Sequence, residues 1–196
     1  GWQDQIAASY GGLNRINFSA EGYEVLPVII SPERKNELND NLMMFFTGFT
    51  RLSSSVQTAN AASVKNEDEK IASLKKMLEL VNSAEQILVN KHTDLAEFGK
   101  LLDYTWKLKR CTGGMISTDK IDLLYERGMK AGALGGKLLG AGGGGFLLFY
   151  VEKDKQAAVK KELSDLLYIP FRFENGGSKV IHFTPETYEA APQETD

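Results

Sequence analysis

The spacing of apolar positions changes period along the chain, and each change predicts an element. Ile6, Ala7 and Tyr10 recur at helical spacing and predict a short helix over Gly1–Tyr10, ended by Gly11-Gly12. From Leu13 to Phe18 the pattern alternates, with Ile16 and Phe18 on one face and Arg15 and Asn17 on the other. After an Ala20-Glu21-Gly22 turn, Tyr23–Ile30 returns as a second strand whose Pro27 suits a sheet edge. Ser31-Pro32-Glu33 has the signature of a helix start, with Ser as cap, Pro in the first turn and an acid beside it, and that helix stops near Asn39-Asp40. Leu42–Thr47 is continuously apolar and predicts a buried strand. Ser53-Ser54-Ser55 leads into a helix through Val64, and Ile71, Leu74, Leu78, Val81, Ile87 and Leu88 give helical spacing over Glu67–Lys91.

Thr93 is the expected cap of a further helix, with Leu95, Phe98, Leu102 and Trp106 turned inward. Ser117 or Thr118 caps another, carrying Ile121, Leu124 and Tyr125 and ending at Gly132. Leu138-Leu139 and Phe146–Val151 read as strands on either side of a glycine cluster. Asp154–Leu167 is amphipathic through Val159, Leu163 and Leu166. Phe171–Glu174 and Ser178–Phe183 predict a hairpin about Asn175-Gly176-Gly177, before a polar tail from Pro185 to Asp196. Helices and strands mix without a regular βαβ beat, and the hairpins imply antiparallel pairing. The expected class is α+β, an antiparallel sheet with a helical layer.

Eight of the 19 glycines fall between Gly132 and Gly145. Glycine inside an element costs roughly 0.5–1 kcal/mol relative to alanine, so such density needs a reason. Successive amides in a bend can cradle a phosphate; alternatively, the glycines let a hairpin lie tight against a helix. Gly140–Gly145 formally satisfies G-x-G-x-x-G, but the strand-like Phe146–Val151 follows where a dinucleotide fold needs a helix. No G-K-[S/T] closes the segment as a Walker loop would.

The 196 residues suit one domain or one and a half, and 42% hydrophobic with 25% charged residues is a globular balance. A net charge of −3 without a basic stripe argues against nucleic acid as a partner. No apolar run is long enough to span a bilayer, so no membrane is expected, and the single Cys111 points to a reducing cytoplasm. With His92, His182 and Cys111 as the whole N/S inventory, no metal site is expected. Asp4 opens a helix, where an acid is favoured by the dipole whatever else it does. Arg51, Ser53 and Ser54 follow a buried strand, either as donors to a polar ligand or as plain caps. Arg110 ends a helix with Lys107 and Lys109; it complements the carbonyl end and could equally grip a phosphate.

Together these segments resemble the GHMP kinase superfamily, which includes galactokinase, homoserine kinase and mevalonate kinase. Lys137–Phe146 (Lys-Leu-Leu-Gly-Ala-Gly-Gly-Gly-Gly-Phe) resembles its C-terminal glycine motif, and Gly1-Trp2-Gln3-Asp4-Gln5 resembles the segment carrying the catalytic aspartate. Thr47–Arg51 with the following serines, and Trp106–Arg110 followed by Ile116–Asp122, look most like a heptose 7-phosphate kinase, although fucokinases share the first segment. The superfamily's P-x-x-x-G-L-G-S-S-A phosphate motif does not occur in the chain.

The resemblance therefore implies the C-terminal portion of a sugar kinase, inactive alone. Residues 1–30 would be a remnant of the ATP-binding domain, 31–185 a ferredoxin-like C-terminal domain and 186–196 a frayed tail. It implies ATP and Mg²⁺ as cofactors, with the metal ligands upstream, and a sugar phosphate as substrate; a homodimer stays open. Asp4 would be the catalytic base on the anomeric hydroxyl. Arg51, Ser53, Ser54 and Arg110 would bind the substrate, while Gly140, Gly142, Gly143, Gly144 and Gly145 would form the glycine loop. An unphosphorylated substrate such as L-fucose or galactose is one alternative, and a non-catalytic small-molecule-binding module is another.

Overall fold

The computed structural model describes residues 2–48, 67–112, 116–140 and 143–183. The expected helix after Ser53 and the polar tail from Pro185 lie outside the described residues. Helix α1 (Gln3–Tyr10) ends at Gly11, and strands β1 (Asn14–Phe18) and β2 (Tyr23–Pro27) form a two-stranded antiparallel sheet. Pro27 lies at the end of that ladder, opposite Asn14. Of the expected apolar face of α1, Ile6 is buried while Ala7 and Tyr10 are exposed. Helix α2 (Pro32–Asp40) starts as its sequence dictates, with the Ser31 hydroxyl accepting the Arg34 N–H at 3.2 Å.

The main sheet has four strands: β3 (Leu42–Phe46), β4 (Gly135–Leu138), β5 (Phe146–Tyr150) and β6 (Leu167–Ile169). Their order is β4-β5-β3-β6 and every pairing is antiparallel. With helices between β3 and β4 and between β5 and β6, this is the βαββαβ arrangement of a ferredoxin-like sheet. Alternation puts Met43, Phe45, Leu138, Leu147 and Phe149 in one core with Ile121 and Tyr125 of helix α5 (Asp119–Lys130) and Val159 of helix α6 (Gln156–Glu162). Leu42 and Tyr150 belong to a second core with Leu38 of α2, Leu88 of helix α3 (Glu67–Val89) and Leu95 beside helix α4 (Ala96–Arg110). Helices thus cover both faces, one more layer than the sequence pattern suggested.

Four local expectations change. Thr93 is not a cap: Leu95 holds that position, and the Asp94 carboxylate accepts the Ala96 N–H at 2.8 Å. The Asp154–Leu167 pattern is divided, because the helix stops at Glu162 and Leu167–Ile169 pairs with β3 as an edge strand. Only Leu88 of the apolar stripe on α3 is buried; Ile71, Leu74, Leu78 and Val81 are exposed.

The hairpin expected over 171–183 does not form. That segment instead runs along α1 and α2: Gly12 N–H donates to Glu174 O (2.8 Å), Ser178 N–H to Ser9 O (3.0 Å), and Phe173 N–H to the buried Asn39 Oδ1 (2.8 Å). A Cβ on Gly177 would overlap Ser9 O, so Gly176-Gly177 serves a close backbone approach rather than a turn.

Candidate active site

The glycine cluster divides into two parts with different physical jobs. Gly135 and Gly136 are strand residues of β4. A Cβ on Gly135 would strike Gly99 O of α4, and one on Gly136 would lie 2.8 Å from the Phe149 ring. These two glycines are therefore there for packing. Past β4 the backbone turns, with positive φ at Gly140 (81°), Gly143 (75°) and Gly145 (109°). Leu139 N–H to Phe146 O, at 2.8 Å, closes the bend.

Two of its amides are committed internally. Gly143 N–H donates to Ile116 O (3.2 Å) and Gly145 N–H to Thr47 Oγ1 (3.2 Å), while Thr47 donates from both its backbone N–H and its hydroxyl to Gly145 O at 2.9 Å. The end of β3 thus fixes the bend's far side. Gly142 lies outside the described residues.

Asp4 is exposed in the first turn of α1. It is within electrostatic reach of two lysines that arrive from different elements. Lys109, near the end of α4, donates from Nζ to Gly140 O at 3.1 Å. Lys137 is in β4, two residues after Gly135, so alternation sends it to the sheet face that α4 covers. Both ammonium groups are partly buried. Burial pushes the Lys109 ammonium below the ordinary lysine range; the like charge of Lys137 pushes the same way, and Asp4 opposes both. Burial likewise lowers Lys137, with Asp4 again opposing. Lys109 thus ties the end of α4 to the entry of the bend, and Asp4 acts electrostatically on both lysines.

Of the other expected substrate residues, Arg110 alone is among the described ones. Arg51, Ser53 and Ser54 lie outside the described residues. Arg110 is ion-paired to Asp122 at 2.8 Å, and Asp122 also accepts the Ser117 hydroxyl at 2.7 Å. Neither lysine was expected beside the bend or within reach of Asp4, because Lys109 reads as a helix-end cation and Lys137 as one position of an apolar strand. The available signal was their place inside the two segments that carry the family resemblance. A polar cavity of about 300 Å³ near Asp40, Lys153, Gln156 and Arg172 involves none of the expected residues. Among the described residues no group of three or more His, Cys, Asp or Glu could hold a metal ion.

The family model for the GHMP kinases C-terminal domain matches residues 71–169. The chain belongs to this family. A D-glycero-alpha-D-manno-heptose 7-phosphate kinase of Campylobacter jejuni is 31% identical over 95% of the chain, and that match covers 52% of the relative. A bifunctional fucokinase/GDP-fucose pyrophosphorylase of Arabidopsis thaliana is 34% identical over 85% of the chain and 16% of its own length. The chain thus spans about half the length of the first of these GHMP kinases and a smaller share of the second.

In fold, the chain resembles a D-glycero-D-manno-heptose 1-phosphate kinase from Bacteroides thetaiotaomicron, with a TM-score of 0.61 at 24% identity over 93% of this chain and 50% of that one. It also resembles L. major mevalonate kinase, with a TM-score of 0.64 at 20% identity over 90% and 53%. These relatives share the GHMP kinase fold across sugar and non-sugar substrates. Among the described residues no helix is long and apolar enough to cross a membrane.

Proposed function

We propose that the chain is the C-terminal portion of an ATP-dependent sugar kinase that phosphorylates the anomeric hydroxyl of a heptose 7-phosphate. The observation that carries this reading is the glycine bend after β4, with Lys109 Nζ on Gly140 O at its entry and an exposed Asp4 that acts electrostatically on Lys109 and Lys137. The 31% identity to a heptose 7-phosphate kinase over nearly the whole chain supports the substrate class.

In this reading the anomeric oxygen attacks the γ-phosphorus of ATP, the bond from that phosphorus to the β,γ-bridging oxygen breaks, and ADP leaves. Asp4 takes the hydroxyl proton, and its exposure leaves it open to the substrate. An anomeric hydroxyl is more acidic than an ordinary alcohol, so it yields its proton to a carboxylate more readily. The charge that accumulates around the transferred phosphoryl group needs fixed cations, and Lys109 and Lys137 are at hand. Residues 1–30 fit as part of the ATP-binding domain. The P-x-x-x-G-L-G-S-S-A motif and the Mg²⁺ ligands would come from further sequence of the same polypeptide.

Turnover of ATP by the polypeptide that contains this chain and a phosphate loop tests the reading. Asp4→Asn should lower kcat by ~10²–10⁴-fold with a heptose 7-phosphate; an unchanged kcat would remove Asp4 as the base.

A second reading, an unphosphorylated sugar such as L-fucose, is favoured by two observations. Arg110, expected to grip the remote phosphate, is already paired to Asp122, and the plant relative named as a fucokinase is 34% identical. The kcat/KM ratio between sugars with and without the phosphate separates the two readings.

A further inference from the structure

A backbone built from glycines does not hold its own shape, because the steric limits that narrow other residues are missing. Hydrogen bonds from outside must select its conformation. At Gly145 Thr47 supplies them. At Gly143, which is buried with a φ of 75°, the bond is from its N–H to Ile116 O, at 3.2 Å.

The direction of that carbonyl is itself fixed. The Ile116 side chain is buried. The next residue, Ser117, donates from its hydroxyl to Asp122 Oδ1 at 2.7 Å, and Arg110 Nη1 donates to the same oxygen at 2.8 Å. A peptide plane anchored by the residues on both its sides has little freedom to rotate. The segments Trp106–Arg110 and Ile116–Asp122, separate in the sequence, thus meet at one carboxylate oxygen. The Arg110 and Asp122 side chains are 34% and 35% exposed. An ion pair that open adds little to stability, so its consequence is geometric.

We propose that Arg110 and Asp122 are positioning residues for the glycine bend, which they hold at Gly143 through Ser117 and the Ile116 carbonyl. Arg110 therefore acts on the bend rather than on the substrate. This deepens the kinase reading and rests on it for its catalytic consequence, since the bend would border the reacting groups.

Amide hydrogen exchange of the 196-residue chain, followed by NMR, reads the link directly. Arg110→Met, Asp122→Ala and Ser117→Ala should each speed exchange at the Gly143 amide about tenfold or more. The Gly145 amide, held by Thr47, should keep its rate. Arg110→Lys should exchange more slowly at Gly143 than Arg110→Met, because an ammonium still pairs with Asp122. Arg127→Met removes a surface ion pair on the same helix, to Glu162 and Asp165, and should leave Gly143 unchanged. An unchanged Gly143 rate in both Arg110→Met and Ser117→Ala overturns the proposal. So does equal acceleration at Gly143 and Gly145, which would make the network a general support of the fold.

Turnover by the polypeptide that contains this chain and a phosphate loop gives the second readout. Arg110→Met and Asp122→Ala should each lower kcat by ~10–10²-fold, the cost of misplacing a site wall. The double variant should lose no more than either alone, because the two act as one unit. The kcat/KM ratio between sugars with and without the remote phosphate should not move. A rise in KM confined to the phosphorylated sugar would return Arg110 to the substrate and overturn the proposal. The exchange measurement needs no activity, so a failed Asp4→Asn test leaves the link standing, and a failed link leaves that test standing.

Discussion

The Arg34 guanidinium is buried and donates to three main-chain carbonyls where α3 ends and α4 has not begun: Leu88 O at 2.7 Å, Ile87 O at 2.6 Å and Thr93 O at 2.8 Å. The last turn of a helix leaves its carbonyls without amide partners, and a cation there also meets the negative end of the dipole. Arg34→Leu would keep apolar bulk but strip those carbonyls. We expect a loss of about 2–4 kcal/mol, given about 1–3 kcal/mol for each buried group left unsatisfied and partial rescue by water. In a domain of this size that lowers Tm by roughly 5–12 °C, which a thermal melt measures. Arg34→Lys should recover only part, because one ammonium cannot reproduce a planar fork. The sequence shows Arg34 only as an ordinary first-turn residue of α2. Its role depends on partners 53 to 59 positions away. Arg110 is the converse case: its residue type promised a phosphate ligand, and Asp122, twelve positions on, took it up.

At the scale of elements, the glycines separate two physical demands that look identical in the sequence. Gly135 in β4 and Gly99 in α4 let strand and helix approach so closely that a Cβ on Gly135 would overlap Gly99 O, and one on Gly99 would lie 2.7 Å from the Tyr150 ring. Gly140 has open space around its would-be Cβ but a φ of 81°. Gly140→Ala should therefore cost about 1–2 kcal/mol, the left-handed backbone penalty alone. Gly135→Ala should cost more, since it forces apart backbone that cannot yield. Urea unfolding of the two variants side by side checks the order, and a reversal would mean that the bend, not the strand, is the constrained part. The strands that carry their own pattern, β1, β2, β3 and β5, were legible. The three-residue β6 was not, because Leu167–Ile169 continues the apolar spacing of α6 and becomes a strand only by pairing with β3. The 171–183 segment misled for the same reason: its glycines suit a turn, and only the nearness of Ser9 and Gly11 shows them to be contacts.

For the molecule as a whole, the buried ionisable groups predict how stability changes in alkali. Lys109 and Lys137 have lowered pKa values when folded, so the unfolded chain binds more protons between those values and the ordinary value of 10.5. Their penalty on folding is relieved as pH rises through that window. Tyr150, pushed up to about 12 by burial, acts in the opposite sense. Its contribution is fully present below the ordinary value of 10.0 and is lost as pH rises toward 12. Lys137→Met should therefore stabilise the protein near pH 7, and its advantage over the wild type should shrink as pH rises toward the ordinary lysine value of 10.5. Chemical denaturation at several pH values measures that difference, and a constant advantage would mean that Lys137 is not desolvated in the fold.

The sequence by itself determined the α+β class, the start of α2 at Ser31, the buried character of β3 and β5, and the two segments that carry the family resemblance. Those properties reside in neighbouring residues, through period, capping and backbone freedom. The tertiary structure alone decided that helices cover both faces of the sheet, that Arg110 is ion-paired to Asp122, and that Lys109 reaches Gly140 while Asp4 acts on it and on Lys137 through space. Desolvation and Coulomb interaction act through space, and the residues that set them here come from α1, α4 and β4, more than a hundred positions apart at the extremes.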